Sequence, residues 1–366
     1  MSATNQYHIN IYNASSLMVD FIRNLFSSFC HKHKPSLAPP AQATIPSPQM
    51  DCSEITHRTV HVNGIDMHVA EKGTGPVVVL LHGFPEIWYT WRHQINGLAA
   101  LGYRVVAPDL RGYGDSTVPS GAASYSALHV VGDIVALIDS LGQEKVLLAA
   151  HDWGAIIAWY VCLFRPDKVK ALVILSVPFV PRNPARKSVD YLRSTYGDDY
   201  YICRFQEPGV IEAEFKHLGT EVVLKKFLTY RNPTPFFIPK EGWGSPDEQI
   251  PLPSWLSEDD IKYYVSKFEK TGFSGGLNYY RALDITWELT APWTGAQIKV
   301  PTKFIVGDLD ITYNAPGAKD FIHKGEMKKF VPLLDEVVVI KGVGHFINEE
   351  KPTKITEHIH SFFKKF

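Results

Sequence analysis

The sequence predicts one α/β domain, a mostly parallel central sheet with helices on both faces, interrupted by a mainly helical insertion. Three features predict it. Short, wholly apolar runs recur along the chain, as strands buried on both faces require. Stretches with helical spacing separate them, the alternation expected when helices cover a parallel sheet. The rhythm breaks after Pro178 and resumes at Thr302, as when a second structure is inserted between two strands.

Residues 1–49 precede this pattern. They are rich in Ser and Pro and hold one acidic residue, Asp20. Leu17, Met18, Phe21, Ile22, Leu25, Phe26 and Phe29 recur at helical spacing, which suggests an amphipathic helix. Asp20 and Arg23 interrupt the apolar run, so it reads neither as a membrane span nor as a signal sequence. The expectation is an N-terminal extension over 1–50, disordered or an amphipathic helix. Membrane association is left open only through residues 15–30.

From Glu54 the elements follow in order. Thr59–Val62 and Met67–Ala70 flank Asn63-Gly64, a hairpin signal. Val77–Leu81, Arg104–Ala107, Val146–Ala150 and Ala171–Leu175 are apolar strands, and Tyr125–Leu141 is the clearest helix between them. Residues 180–290 are helical, aromatic and punctuated by proline. Their stretch Asn232–Trp255 is a long loop of the kind that serves function inside a compact domain. Thr302–Val306 and Val337–Ile340 resume the strands. The expected organisation is a core over 51–179 and 291–366 with a helical lid over 180–290.

Composition narrows the function. The 366 residues are 45% apolar and 20% charged, with a formal net charge of −1, so no broad field favours nucleic acid or an anionic membrane. The 20 Phe, 17 Tyr and 8 Trp would fill a core and also suit an apolar pocket. Cys30, Cys52, Cys162 and Cys203 have no metal-ligand spacing and fit a reducing compartment. A cytoplasmic location is expected, with organelle targeting by residues 1–49 as the alternative.

Chemistry concentrates at strand ends. Ala150-His151-Asp152-Trp153-Gly154 places a carboxylate between small residues at a strand-to-helix junction. Such flanks permit the sharp, strained turn that lifts a nucleophile above the carboxyl edge of a sheet. A plain helix N-cap is the competing explanation. His82-Gly83-Phe84-Pro85 follows Val77–Leu81, where the Phe84 amide could join that of Trp153 in an oxyanion hole. Asp308 and Asp310 end the strand Thr302–Val306, and His345 ends Val337–Ile340 within Gly342-Val343-Gly344-His345-Phe346. Nucleophile, acid and histidine thus occur in the order of a hydrolase triad.

Together HGFPEIWYTWR, PDLRGYGDS, HDWGA, GDLD and GVGHF resemble the motifs of plant-type soluble epoxide hydrolases of the α/β-hydrolase fold, over about residues 54–366. The resemblance implies Asp152 as nucleophile, His345 as general base and Asp310 as its orienting partner, with Asp308 a turn residue. It implies Tyr201 and Tyr280 as lid proton donors to the epoxide oxygen, with their neighbours Tyr200 and Tyr279 as the alternatives. A phenol of pKa about 10 donates usefully to the far more basic alkoxide of an opening epoxide. Glu86 and His151 resemble residues that organise water, with plain hydrogen-bonded support as the alternative, and His82 stands with them around the site. Asp109, Arg111 and Asp115 look like turn-shaping residues.

The resemblance further implies hydrolysis of an apolar fatty-acid, terpenoid or aromatic epoxide to a diol, with no metal or organic cofactor. It implies no partner beyond epoxide and water, in a monomer or homodimer. Two rivals remain. A haloalkane dehalogenase shares the Asp nucleophile and the following Trp, but would hold halide on N–H donors. A binding protein on a hydrolase scaffold would not need the full set of reactive groups.

Overall fold

The structure, a computed structural model, describes residues 55–366, so the amphipathic stripe at 17–29, Cys30 and Cys52 lie outside the described residues. Asn63, at φ 45°, and Gly64, at φ 79°, turn the chain between β1 (Thr56–Val62) and β2 (Ile65–Lys72), which pair antiparallel. Left-handed backbone at both positions is what a two-residue hairpin asks for.

Six further strands follow: β3 (Val77–Leu81), β4 (Arg104–Pro108), β5 (Val146–His151), β6 (Val169–Leu175), β7 (Thr302–Gly307) and β8 (Leu334–Ile340). The sheet order is β1-β2-β4-β3-β5-β6-β7-β8, antiparallel as far as β4 and parallel from β4 to β8. The strand period divides the core in two. Val77, Val79, Leu81, Leu148 and Ala150 pack on one face, while Val78, Leu80, Leu147 and Ala149 pack on the other.

Helices α1 (Arg92–Ala100), α2 (Ala127–Ser140) and α3 (Trp153–Phe164) connect the early strands. The expected helix from Tyr125 begins two residues later, because Ala122–Tyr125 winds as a 3₁₀ turn. Between β6 and β7 come α4 (Ser188–Tyr196), α5 (Tyr201–Arg204), α6 (Val210–Leu218), α7 (Thr220–Leu228), α8 (Glu258–Thr271), α9 (Ser274–Arg281) and α10 (Leu283–Leu289). After β7 come α11 (Ala318–His323) and α12 (Glu326–Phe330); after β8 come α13 (Ile347–Glu350) and α14 (Pro352–Phe363). α1 and α14 bury Ile95, Leu98, Ile355, Ile359 and Phe362 on one face of the sheet. α2 and α3 bury Val130, Ile134, Leu137, Ile157 and Val161 on the other.

The inserted helices are tied to the sheet domain by charge and by close backbone approach. Asp115 pairs with Lys267 at 2.5 Å and with Lys270 at 2.8 Å on α8. A Cβ on Gly275 would stand 2.6 Å from Gly112 Cα, so α9 reaches the Arg111–Gly114 turn only because both positions are glycine. Among the described residues, no helix is long and apolar enough to cross a membrane.

Candidate active site

Asp152 joins β5 to α3 at φ 50° and ψ −121°, a strained conformation for a residue with a Cβ. Its side chain makes no capping hydrogen bond to α3, which removes the N-cap explanation. Gly154 makes the sharp turn feasible, since a Cβ there would lie 2.6 Å from the carbonyl oxygen of His82. The carboxylate stands at the carboxyl edge of the sheet. Phe84 N–H donates to Asp152 Oδ1 at 2.7 Å. Trp153 opens α3, and a first-turn amide of a helix has no acceptor within it.

Asp152 Oδ2 lies 3.2 Å from His345 Nε2, and His345 Nδ1 lies 3.0 Å from Asp310 Oδ2. Asp310 is fully buried at the end of β7, where Thr312 N–H and Oγ1 each donate to Oδ1 at 2.8 Å. Asp308 faces the other way and accepts from Gly342 N–H at 2.7 Å, so it is the turn residue and Asp310 the histidine's partner. The His345 carbonyl is held by Ser176 Oγ at 2.9 Å and by His151 Nε2 at 2.8 Å.

Burial and charge oppose each other here. Burial would raise the Asp310 pKa, but the His345 charge and hydrogen bond bring it down to about 2. Asp152 is likewise pushed up by burial and brought below its ordinary value by His345. Burial works against a charged His345, yet Asp310 and Asp152 together hold its pKa well above 6.5. The three groups form a buried anion–cation–anion row.

Two phenols complete the cleft. Asp152, His345, Tyr201 and Tyr280 line one cavity with Phe84, Phe227, Tyr230, Phe236, Ile311, Thr312 and Phe346. Tyr201 begins α5, and its ring centroid lies 5.9 Å from that of Tyr280 on α9. Gly276 lets α9 lie close against Phe84, because a Cβ there would stand 2.7 Å from Phe84 Cδ2. Burial first, and then neighbouring phenols and Asp152, push both tyrosine pKa values well above 10. Tyr200 instead stacks on Tyr196 at 4.4 Å, and Tyr279 donates to the Arg111 carbonyl at 3.0 Å. Neither lines the cavity.

The surrounding candidates form hydrogen-bonded support. Glu86 Oε2 accepts from Gly83 N–H at 2.6 Å and meets His151 Nδ1 at 2.9 Å, while Thr90 Oγ1 lies 2.7 Å from Oε1. Both residues are fully buried, outside the cavity lining. His82 bridges the Gly83 carbonyl at 2.9 Å and the Leu110 N–H at 3.0 Å, and burial lowers its pKa. Asp109 accepts from Trp88 N–H at 2.8 Å and Asp115 N–H at 3.1 Å, as a turn-shaping residue does. Arg111 pairs with Asp133 at 2.5 Å. Sequence reasoning passed over Thr312 and Ser176, which bind Asp310 and the His345 carbonyl; the only signal was their place just beyond β7 and β6.

A carboxylate on a strained strand-to-helix turn, a histidine–aspartate pair from later strands and a helical insertion between β6 and β7 define an α/β hydrolase. The family model described as alpha/beta hydrolase fold matches residues 76–352. Epoxide hydrolase 3 of Siraitia grosvenorii is 60% identical over 314 residues, covering 86% of this chain and 99% of that protein. Epoxide hydrolase A of Mycobacterium tuberculosis is 36% identical over 84% of this chain and 97% of its own length. The crystal structure of an epoxide hydrolase from Vigna radiata superposes with TM-score 0.84 at 61% identity, covering 86% of this chain and 99% of that one. The chain belongs to the epoxide hydrolases of the α/β-hydrolase fold.

Proposed function

We propose that this enzyme converts apolar epoxides to vicinal diols through a covalent ester on Asp152. The observation that carries the reading is the shared cleft. Asp152 Oδ2 stands 3.2 Å from His345 Nε2, and the Tyr201 and Tyr280 phenols line the same cavity.

In the first half-reaction Asp152 Oδ2 attacks an epoxide carbon, Oδ1 being occupied by the Phe84 amide. The carbon–oxygen bond breaks, its electron pair goes to oxygen, and a proton passes from Tyr201 or Tyr280. Their raised pKa values keep both phenols protonated beside an anion. The products are an alkyl ester and a tyrosinate. A saturated carbon calls for displacement, and a carboxylate gives an ester that water can remove.

The second half-reaction follows from electrostatics. Esterification neutralises one of the two anions that hold the His345 proton, so its pKa falls and that proton leaves to solvent. His345, still oriented by Asp310, then takes a proton from water as that water attacks the ester carbonyl. The amides of Phe84 and Trp153 hold the tetrahedral oxyanion. Collapse breaks the ester carbon–oxygen bond, and the departing diol oxygen takes the proton His345 had accepted. The Asp152 carboxyl left behind passes its own proton back to His345, and the tyrosinate regains one from solvent. Epoxide and water are consumed, and one diol leaves.

Phe84, Phe227, Phe236, Ile311 and Phe346 make the cleft walls apolar, which supports a fatty-acid, terpenoid or aromatic epoxide as substrate. Cys162 and Cys203 are free and buried, which supports a reducing, cytoplasmic compartment. The test pairs two variants with aryl, terpenoid and fatty-acid epoxides. Asp152→Ala should remove diol formation without lowering the unfolding temperature, and His345→Gln should accumulate an adduct by intact mass. Near-normal diol formation by Asp152→Ala would refute the mechanism.

A further inference from the structure

The loop before His345 is gripped from two sides. On the sheet side, Asp308 Oδ1 accepts from Gly342 N–H at 2.7 Å. On the other side Arg231, three residues beyond the end of α7, donates from a guanidinium nitrogen to the Gly342 carbonyl at 2.6 Å. Its Nε lies 3.1 Å from Glu350 Oε2, and Glu350 Oε1 accepts from Gly344 N–H at 2.9 Å. The Glu350 side chain is 2% exposed, whereas that of Arg231 is 40% exposed. A Cβ on Gly344 would stand 2.7 Å from Glu350 Oε1 and 3.1 Å from Arg231 Cγ, so the loop is closely fitted to both.

Arg231 therefore joins the two halves of the site. It follows Tyr230, which lines the cleft, and precedes Phe236, whose carbonyl accepts from Tyr201 N–H at 3.1 Å. At its other end it holds the Gly342 carbonyl directly and, through Glu350, the Gly344 amide of the peptide that leads into His345. The proton donors come from the inserted helices and the base comes from the sheet. Among the described residues, this guanidinium bonds directly to the His345 loop from the inserted segment.

We propose that Arg231 and Glu350 are positioning residues that set His345 in register for hydrolysis of the ester, a reading that rests on the covalent mechanism above. Neither touches the reacting atoms. They hold Gly342 and Gly344, so their loss lets the imidazole drift while Asp152 and the two phenols stay in place. Ester formation needs only the latter groups; hydrolysis needs the base.

The test measures the two half-reactions separately in Arg231→Met and Glu350→Gln, by stopped-flow for ester formation and by intact mass for its decay. A base misplaced by about 1 Å loses on the order of 10²-fold. The expected result is ester hydrolysis slowed about 10- to 100-fold with alkylation within about threefold of wild type, so the adduct accumulates. Arg231→Lys should recover part of the loss, and the double variant should be no slower than the worse single, as for residues of one network. Equal slowing of both steps would overturn the proposal. It would mean that the segment carrying Phe236 had simply loosened and taken Tyr201 with it. Unchanged hydrolysis would overturn it too. His345→Gln is the control: an adduct there but none in the Arg231 and Glu350 variants sinks the positioning proposal alone, whereas none in any variant sinks the covalent reading and the positioning proposal with it. If Glu350→Gln does not fold, the exposed Arg231→Met decides by itself.

Discussion

Adding one methyl group beside Asp152, the proposed nucleophile, tests whether its placement sets the rate. Gly83 lies outside the left-handed region, so alanine is compatible with its backbone. Its Cβ would stand 2.7 Å from the Asp152 carboxyl carbon, and nearer still to Cβ and Oδ1, where ordinary contact begins at 3.4 Å. Relief requires about 1 Å of movement by Asp152 or by the Gly83–Phe84 backbone, and a shift of that size costs about 10²-fold in rate. The same movement stretches the 2.7 Å bond from Phe84 N–H to Oδ1, which orients the carboxylate and supports the later oxyanion. Alkylation in Gly83→Ala should therefore fall about 100-fold, equivalent to about 2.7 kcal/mol of barrier. The assay is single-turnover ester formation with excess enzyme, alongside thermal unfolding to show that the fold is kept. A rate within about threefold of wild type in a folded variant would refute the reasoning that the Gly83 contact fixes the nucleophile.

The tyrosine pair and pH give further expectations. Tyr201→Phe or Tyr280→Phe should slow alkylation by about 10²- to 10⁴-fold, the range for one acid catalyst. Tyr200→Phe should leave it nearly unchanged, so a larger defect there than in Tyr201→Phe would show the donor misassigned by one position. With Asp152 held below its ordinary pKa and both phenols well above theirs, alkylation should be flat from about pH 5 to about pH 9. Ester hydrolysis should instead fall as acid protonates His345, which then cannot accept a proton from water. An alkylation rate declining between about pH 7 and about pH 9 would mean that a phenol ionises early.

Much of this was legible in the sequence because the signals are local. Val77–Leu81, Val146–His151 and Thr302–Gly307 announce themselves as apolar runs too short for helices and flanked by turns. Asp152 was legible because only small neighbours such as Gly154 allow its strained turn, and that requirement is written within five residues. Tyr201 and Tyr280 were harder, since burial and orientation decide among 17 tyrosines and neither is encoded by spacing. Only the flanking motifs separated them from Tyr200 and Tyr279, one of which stacks on Tyr196 while the other bonds Arg111. Arg231 and Glu350 carried no local pattern. Their pairing depends on how a loop after α7 meets a turn after β8, and charges in such loops are usually solvated. The Pro-rich stretch Asn232–Trp255 was expected to matter by its length, while its contribution of Phe236 to the cleft wall emerges only from tertiary placement.

The insertion between β6 and β7 also bears on how the chain reaches its native state. β6 ends at Leu175 and β7 begins at Thr302, yet the two pair directly in the sheet. Closing a loop of that length instead of a four-residue connection spans about five doublings, or about 3 kcal/mol of chain entropy. The inserted helices must recover that free energy by their own packing before the pairing becomes favourable. Long-range parallel pairing is slow for the same reason. During synthesis the first five parallel-sheet and hairpin strands to β5, with Asp152, emerge well before Asp310 and His345, which lie beyond the insertion. A nascent chain would thus carry the proposed nucleophile without its proposed base until the last strands dock, and a substitution that weakens the packing of α4 to α10 should delay the arrival of activity even where the finished enzyme is unaltered.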